Sequence, residues 1–215
     1  MLDPVFLCSF DSWFKLANSA ERKTTGKYLF AYILDPDKEK VENILAFASK
    51  KKLTVVSITD KQFNPEQKMD VLNTCVVLKN ASINEFIYHM INAEYVVTDS
   101  YHGLCFSLIF KKQFAVLVNK NRGASRFETL SKLFNIEQEM LEHISELNTT
   151  KCLHKIIDYD QLTPIIEKEI KRCQNWLIEA ISSDKEIKKL PKTNEYIIKE
   201  AVLSLYSRVA KLEKY

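Results

Sequence analysis

Apolar residues recur along this chain with two alternating periods. Lys27 to Leu34 is aromatic-rich and alternates; Leu53 to Thr59 and Thr74 to Leu78 are short and β-branched; Tyr95 to Thr98 carries no charge. Such short apolar runs predict strands. Between them the spacing becomes helical. Val41, Ile44, Leu45 and Ala48 follow Asp35-Pro36-Asp37, with Pro36 near the first helical position. Phe86, Ile87, Met90 and Ile91 follow Ser82-Ile83-Asn84-Glu85, the spacing of a capping box. Leu104 to Phe110 is apolar and closes on Lys111-Lys112, which predicts a buried helix with lysines at the negative end of its dipole. Gln113 to Val118 predicts another strand. Ser125-Arg126-Phe127-Glu128 then reads as a second capping box, opening a helix through Leu133 and Phe134.

At the amino-terminal end, Val5-Phe6-Leu7-Cys8 is a short apolar piece, and Asp11-Ser12 can cap a helix carrying Trp13, Phe14 and Leu16. Residues 60–73 read as a loop and 137–147 as a short helix. Residues 160–182 predict a long helix with Ile165, Ile166, Ile170, Trp176, Leu177 and Ile181. A charged break from Asp184 to Lys192 separates it from an amphipathic helix starting at Asn194. This alternation predicts an α/β fold: a Rossmann-like parallel sheet of four or five strands with helices on both faces. The expected division is a domain over residues 1–182 and a C-terminal amphipathic helix over 183–215. That helix is expected to pack on its own domain or on a second copy, making a homo-oligomer.

Composition narrows the function classes. Of 215 residues 46% are hydrophobic, enough for a sizeable core, and the net charge is only +3. Lysines are scattered among acids, so the clustered basic face of a nucleic-acid binder is missing. The five cysteines lie far apart with no C-x-x-C pair, which reads as reduced cysteine in a cytoplasmic protein rather than a metal site or disulfide frame. Asp3 and Pro4 interrupt any signal-peptide pattern, and no apolar run reaches the roughly eighteen residues of a spanning helix.

The candidate chemistry gathers where the Tyr95 strand ends. Thr98-Asp99-Ser100-Tyr101-His102-Gly103 is a polar elbow between strand and helix. In α/β sheets the carboxyl edge binds ligands, and a helix start offers N–H groups to an anion. The chain has three glycines where average usage would give about fifteen. Two of them, Gly103 and Gly123, sit in polar stretches. Each marks either an ordinary turn or a backbone need: positive φ, or close approach of a ligand. His102 has the residue type for proton transfer at neutral pH, with Asp99 near enough in sequence to orient it; the alternative is a ring that merely caps the turn. His89, His143 and His154 lack such neighbours and read as structural or exposed. Arg122 and Arg126 stand out in a chain rich in lysine, because guanidinium forks bind phosphate and carboxylate. Ser125 as N-cap would place Arg126 in a first helical turn. A surface ion pair is the alternative for each arginine. Thr98, Ser100 and Tyr101 can hydrogen-bond a ligand or cap the turn.

Tyr95-Val96-Val97-Thr98-Asp99-Ser100-Tyr101-His102-Gly103, with Phe106-Ser107 and then Asn119…Ser125-Arg126-Phe127…Leu130, resembles the polysaccharide pyruvyl transferase family. Its hallmark is a T-D-[SR]-[FYL]-H-G elbow, followed in one bacterial branch by an N…S-R-[FI]…L segment. Asp3-Pro4-Val5-Phe6-Leu7 with Trp13, and Ile91-Asn92-Ala93-Glu94, are similar to that branch as well. The resemblance runs from residue 3 to about 182. Some members carry arginine where this chain has Ser100. Members also have a full N-terminal half, so this chain corresponds to the C-terminal one and is expected to be inactive alone. The resemblance implies one half of a glycosyltransferase-B-like fold. It implies phosphoenolpyruvate as donor substrate, a sugar acceptor in surface polysaccharide biosynthesis, and a ketal product. No metal and no other cofactor are implied. Membrane contact would come only through a lipid-linked acceptor. Catalysis falls to His102 and Asp99, and substrate binding to Thr98, Ser100, Tyr101, Gly103, Asn119, Arg122, Ser125 and Arg126. A glycosyltransferase or sugar-nucleotide enzyme of the same architecture, and a non-catalytic half-domain, are the alternatives.

Overall fold

The computed structural model describes residues 2–59, 75–118, 123–149 and 154–182. Six strands form one parallel sheet: β1 (Tyr28–Tyr32), β2 (Thr54–Thr59), β3 (Cys75–Lys79), β4 (Tyr95–Thr98), β5 (Gln113–Leu117) and β6 (Met140–Leu141). Their order is β3-β2-β1-β4-β5-β6, that of a doubly wound, Rossmann-like sheet. The order in which strands are added reverses between the parallel neighbours β1 and β4, where Leu29 pairs with Tyr95 and Tyr32 with Thr98. Such a switch point opens a crevice at the carboxyl ends of its two strands.

The helices are α1 (Phe10–Asn18), α2 (Lys38–Lys50), α3 (Ile83–Asn92), α4 (Tyr101–Ile109), α5 (Ala124–Phe134) and α6 (Tyr159–Ser182). Successive strand side chains point to opposite faces, and both faces are buried. Tyr28, Phe30, Val96, Phe114 and Val116 pack in one core with residues of α3, α4 and α5, such as Ile87, Met90, Leu104, Leu108, Phe127 and Phe134. Leu29, Ala31, Tyr95, Val97 and Ala115 pack in the other with Ile44, Phe47 and Ala48 of α2. The chain divides into two units, residues 1–174 and 175–215; of the second, only the last turns of α6 are described.

The capping box at Ser82 is present. The Ser82 hydroxyl accepts from Glu85 N–H at 3.2 Å, and the Glu85 carboxylate accepts from Ser82 N–H at 2.7 Å. Several expected boundaries move. Ser9, not Asp11-Ser12, caps α1. Asp37 caps α2, which leaves Pro36 outside the helix. Helix α4 begins at Tyr101, so Tyr101, His102 and Gly103 form its first turn rather than precede it. Residues 137–147 are not one helix: two 3-10 turns flank β6, which extends the sheet to six strands. Two residues are too few for a strand period to show. The expected loop at 60–73 and the helix from Asn194 lie outside the described residues.

Candidate functional site

The site is built where β4 hands over to α4. Ser100 takes the N-cap position in extended conformation and makes no side-chain cap bond. The first N–H groups of a helix have no partner within it, so the start of α4 can offer donors to an anion. Thr98 ends the strand fully buried. Its hydroxyl donates to Tyr32 C=O at 2.6 Å and accepts from Ser100 N–H at 3.0 Å. Gly103 lies directly against it. A Cβ at position 103 would sit 2.8 Å from Thr98 Cγ2 and 2.9 Å from its Cβ. The glycine therefore answers a close approach, but of the protein's own chain rather than of a ligand.

Asp99 does not orient His102. It is buried, and its carboxylate accepts from Leu34 N–H at 2.6 Å and from Asp35 N–H at 3.2 Å, with Lys40 Nζ at 3.5 Å. It thus spans the crevice between β1 and β4 and ties the β1–α2 turn to the elbow. Lys40 completes the tie through the Asp35 carbonyl and Asp37. The polar elbow sequence places Asp99 beside His102 along the chain, yet Asp99 precedes the helix and is taken up by the Leu34 and Asp35 N–H groups, whereas His102 lies within the first turn of α4.

The carboxylate that does face His102 is Asp3. His102 side chain is 56% exposed, with Nε2 at 3.7 Å from Asp3 Oδ2; Asp3 is 17% exposed. Beside this pair stands Tyr101. Its ring lies 6.1 Å from the His102 ring and meets Phe127 edge-on at 5.7 Å. The Arg126 guanidinium stacks over the same ring, with Cζ 4.8 Å from the centroid. Burial pushes the Tyr101 phenol up, helped by Cys105 and Asp3 and opposed by Arg126. Burial likewise pushes the Cys105 thiol up, with Asp3 adding to it. Neither side chain is a nucleophile in this state. One patch at the carboxyl ends of β4 and β5 therefore gathers Asp3, Tyr101, His102 and Arg126.

Ser125 is not the N-cap of α5. Gly123 holds that position at φ +85°, and Ser125 lies exposed within the first turn. Glu128 pairs with Lys132 at 2.7 Å instead of closing a capping box. A Cβ on Gly123 would lie 3.1 Å from Arg126 Nε, so this glycine provides both the left-handed turn and room for the guanidinium. Asn119 and Arg122 lie outside the described residues. His143 and His154 are exposed. His89 is buried in the core, its Nδ1 3.3 Å from the Tyr28 hydroxyl and its Nε2 without a partner. Sequence reading missed Asp3 as a site residue, because nothing local marks an aspartate before a proline as more than a turn former.

A sequence model of polysaccharide pyruvyl transferases matches residues 1–121, more than half of the 215. The chain belongs to the polysaccharide pyruvyl transferase family. The matched span of this pyruvyl transferase family member holds Asp3, the whole elbow and α4. It stops short of Ser125 and Arg126, although the motif resemblance had run on to about residue 182. No curated protein matches. Among solved structures, a UDP-GlcNAc 2-epimerase from Methanocaldococcus jannaschii, in complex with UDP-GlcNAc and UDP, aligns at 16% identity and a TM-score of 0.40. The alignment covers 80% of this chain and 50% of the epimerase, so the chain spans about half that enzyme's length. Among the described residues, no helix of this family member is long and apolar enough to cross a membrane.

Proposed function

We propose that this chain is one half of a two-domain, glycosyltransferase-B-like transferase that moves pyruvate from phosphoenolpyruvate onto a pair of sugar hydroxyls. The product is a ketal in surface polysaccharide biosynthesis. One observation carries the reading: an exposed histidine adjoins, at the start of α4, the tyrosine ring on which an arginine of α5 stacks, on the carboxyl edge of the sheet, in a member of this family.

The chemistry needs a proton donor, an anion cradle and a cation. Protonated His102 gives its proton to the methylene carbon of the enol. A sugar hydroxyl adds to the neighbouring carbon and releases its own proton. A second hydroxyl then displaces phosphate, which takes up that hydroxyl's proton as it leaves, and closes the ketal. Arg126 and the N–H groups at the start of α4 hold the donor's carboxylate or phosphate. General acid catalysis of this kind contributes about 10²–10⁴-fold.

The test is ligand-induced thermal stabilisation of the chain by phosphoenolpyruvate, compared with UDP- and GDP-sugars. At a hundredfold excess over Kd a ligand adds about 2.7 kcal/mol of stability. Stabilisation by phosphoenolpyruvate, lost in Arg126→Ala, is expected. Stabilisation by nucleotide sugars alone would overturn the reading in favour of a sugar-nucleotide enzyme.

A further inference from the structure

We propose that Asp3 is the positioning residue of His102. Its Oδ2 faces Nε2 at 3.7 Å and by its charge favours the imidazole proton on that nitrogen, which leaves Nδ1 as the nitrogen that exchanges a proton with substrate. The inference rests on the proton-donor role given to His102 above.

The two carboxylate oxygens of Asp3 have separate tasks. Asp3 precedes Pro4, which restricts it to extended backbone, and it sits at φ −60°, ψ 140°. From there Oδ1 accepts from Val5 N–H at 3.1 Å and caps the 3-10 turn Pro4–Leu7. Oδ2 is the oxygen turned to His102 Nε2. The segment is anchored on both sides of Asp3. Leu2 N–H points at Cys173 Sγ, 3.4 Å away, and buried Phe6 packs on Phe134 with ring centroids 6.2 Å apart. A carboxylate fixed in this way is a pre-oriented partner for a more exposed ring.

The surroundings give that partner work to do. The positive end of the α4 dipole lies at His102, and the Arg126 guanidinium sits on the adjoining Tyr101 ring. Burial keeps Tyr101 and Cys105 neutral, so Asp3 is the carboxylate that faces the ring here. Asp99, with its oxygens on Leu34, Asp35 and Lys40, is turned elsewhere. The proton count follows. Imidazolium carries Nδ1–H and Nε2–H. Transfer of the Nδ1 proton to the enol carbon leaves a neutral ring whose remaining proton, on Nε2, faces Asp3. The proton released by the adding sugar hydroxyl restores Nδ1–H.

Asp3→Asn separates this role from a structural one. Asparagine caps as well as aspartate and keeps an oxygen for Val5 N–H. Toward His102 it presents a neutral amide, whose NH₂ favours an unprotonated Nε2. Long-range ¹H–¹⁵N spectra of ¹⁵N-histidine-labelled protein, above the imidazole titration, report the tautomer, with His102→Gln assigning the signal. The expected result is Nε2–H in the parent and a shift of population to Nδ1–H in Asp3→Asn. Asp3→Ser retains a capping oxygen too short for the imidazole, and should lose the preference for Nε2–H. It also serves if Asp3→Asn melts early. Equal tautomer populations in parent and variants would overturn the proposal. This readout needs no donor, so a failure of phosphoenolpyruvate to bind strikes the pyruvyl reading alone.

Discussion

Thr98 occupies the space that a Cβ at position 103 would need. An added methyl would approach three of its side-chain atoms within contact distance, Oγ1 nearest of all. Thr98 cannot rotate away without losing its bonds to Tyr32 C=O and Ser100 N–H. Gly103→Ala should therefore destabilise the fold by about 1–3 kcal/mol, the usual cost of overpacking. Urea denaturation measures this. In the double variant Gly103→Ala/Thr98→Ala the loss should be smaller than the sum of the single ones, because the clash is shared. Additive losses would mean that the two side chains do not compete for space.

His102→Ala should leave the fold intact, within about 0.5 kcal/mol, since the side chain is mostly exposed. Pyruvate transfer by the complete enzyme should fall by about 10²–10⁴-fold. Melting curves and phosphate release, measured on the same preparations, check both halves of this statement.

Tyr101 holds Arg126 through its ring face rather than through its hydroxyl. Tyr101→Phe should keep phosphoenolpyruvate affinity, whereas Tyr101→Leu should weaken it about 2–5-fold, the equivalent of an exposed cation–π contact of roughly 0.5–1 kcal/mol. Calorimetric titration of the two variants decides it. Equal affinities would show that the ring does not position the guanidinium.

Stability should fall on acidification in two steps. Burial holds the His89 imidazole below its ordinary value of 6.5. The unfolded chain then takes up a proton that the folded one refuses, so this contribution is complete above about pH 6.5 and fades below it. The Arg22 hydrogen bond, with help from Ser82, holds the Glu85 carboxyl at about 2, against an ordinary 4.5. Its contribution is present above pH 4.5 and is lost as pH falls toward 2. Glu85→Gln should remove the second step. It should also cost about 1–3 kcal/mol near neutral pH, because Arg22 and Ser82 donors lose their charged acceptor. Urea midpoints collected from pH 7 to pH 3 on parent and variant follow both steps.

The architecture was legible in the amino-acid order because the signals for it are local. The Ser82 capping box, the uncharged Tyr95 strand and the elbow behind it involve residues within a few positions of one another. Local hydrogen bonds and side-chain periods are written in such neighbourhoods. Scarcity marked the glycine at 103 as either an ordinary turn or a backbone need; that Thr98 is what approaches it was not visible.

Which side chains meet depended on contacts between segments far apart in the chain. Nothing near Asp3 announces His102, and nothing near Tyr101 announces Arg126; the contacts of Leu2 with Cys173 and of Phe6 with Phe134 fix the first pair, and the adjacency of β4 and β5 brings together the second. Asp99 adjoins His102 in the chain but turns to Leu34 and Asp35, because the end of β1 beside β4 supplies two N–H groups that need an acceptor. A side chain's partner is set by backbone direction and by which groups packing leaves unsatisfied. Those quantities come into being only when distant strands pair, and they have no expression in the spacing of neighbouring residues.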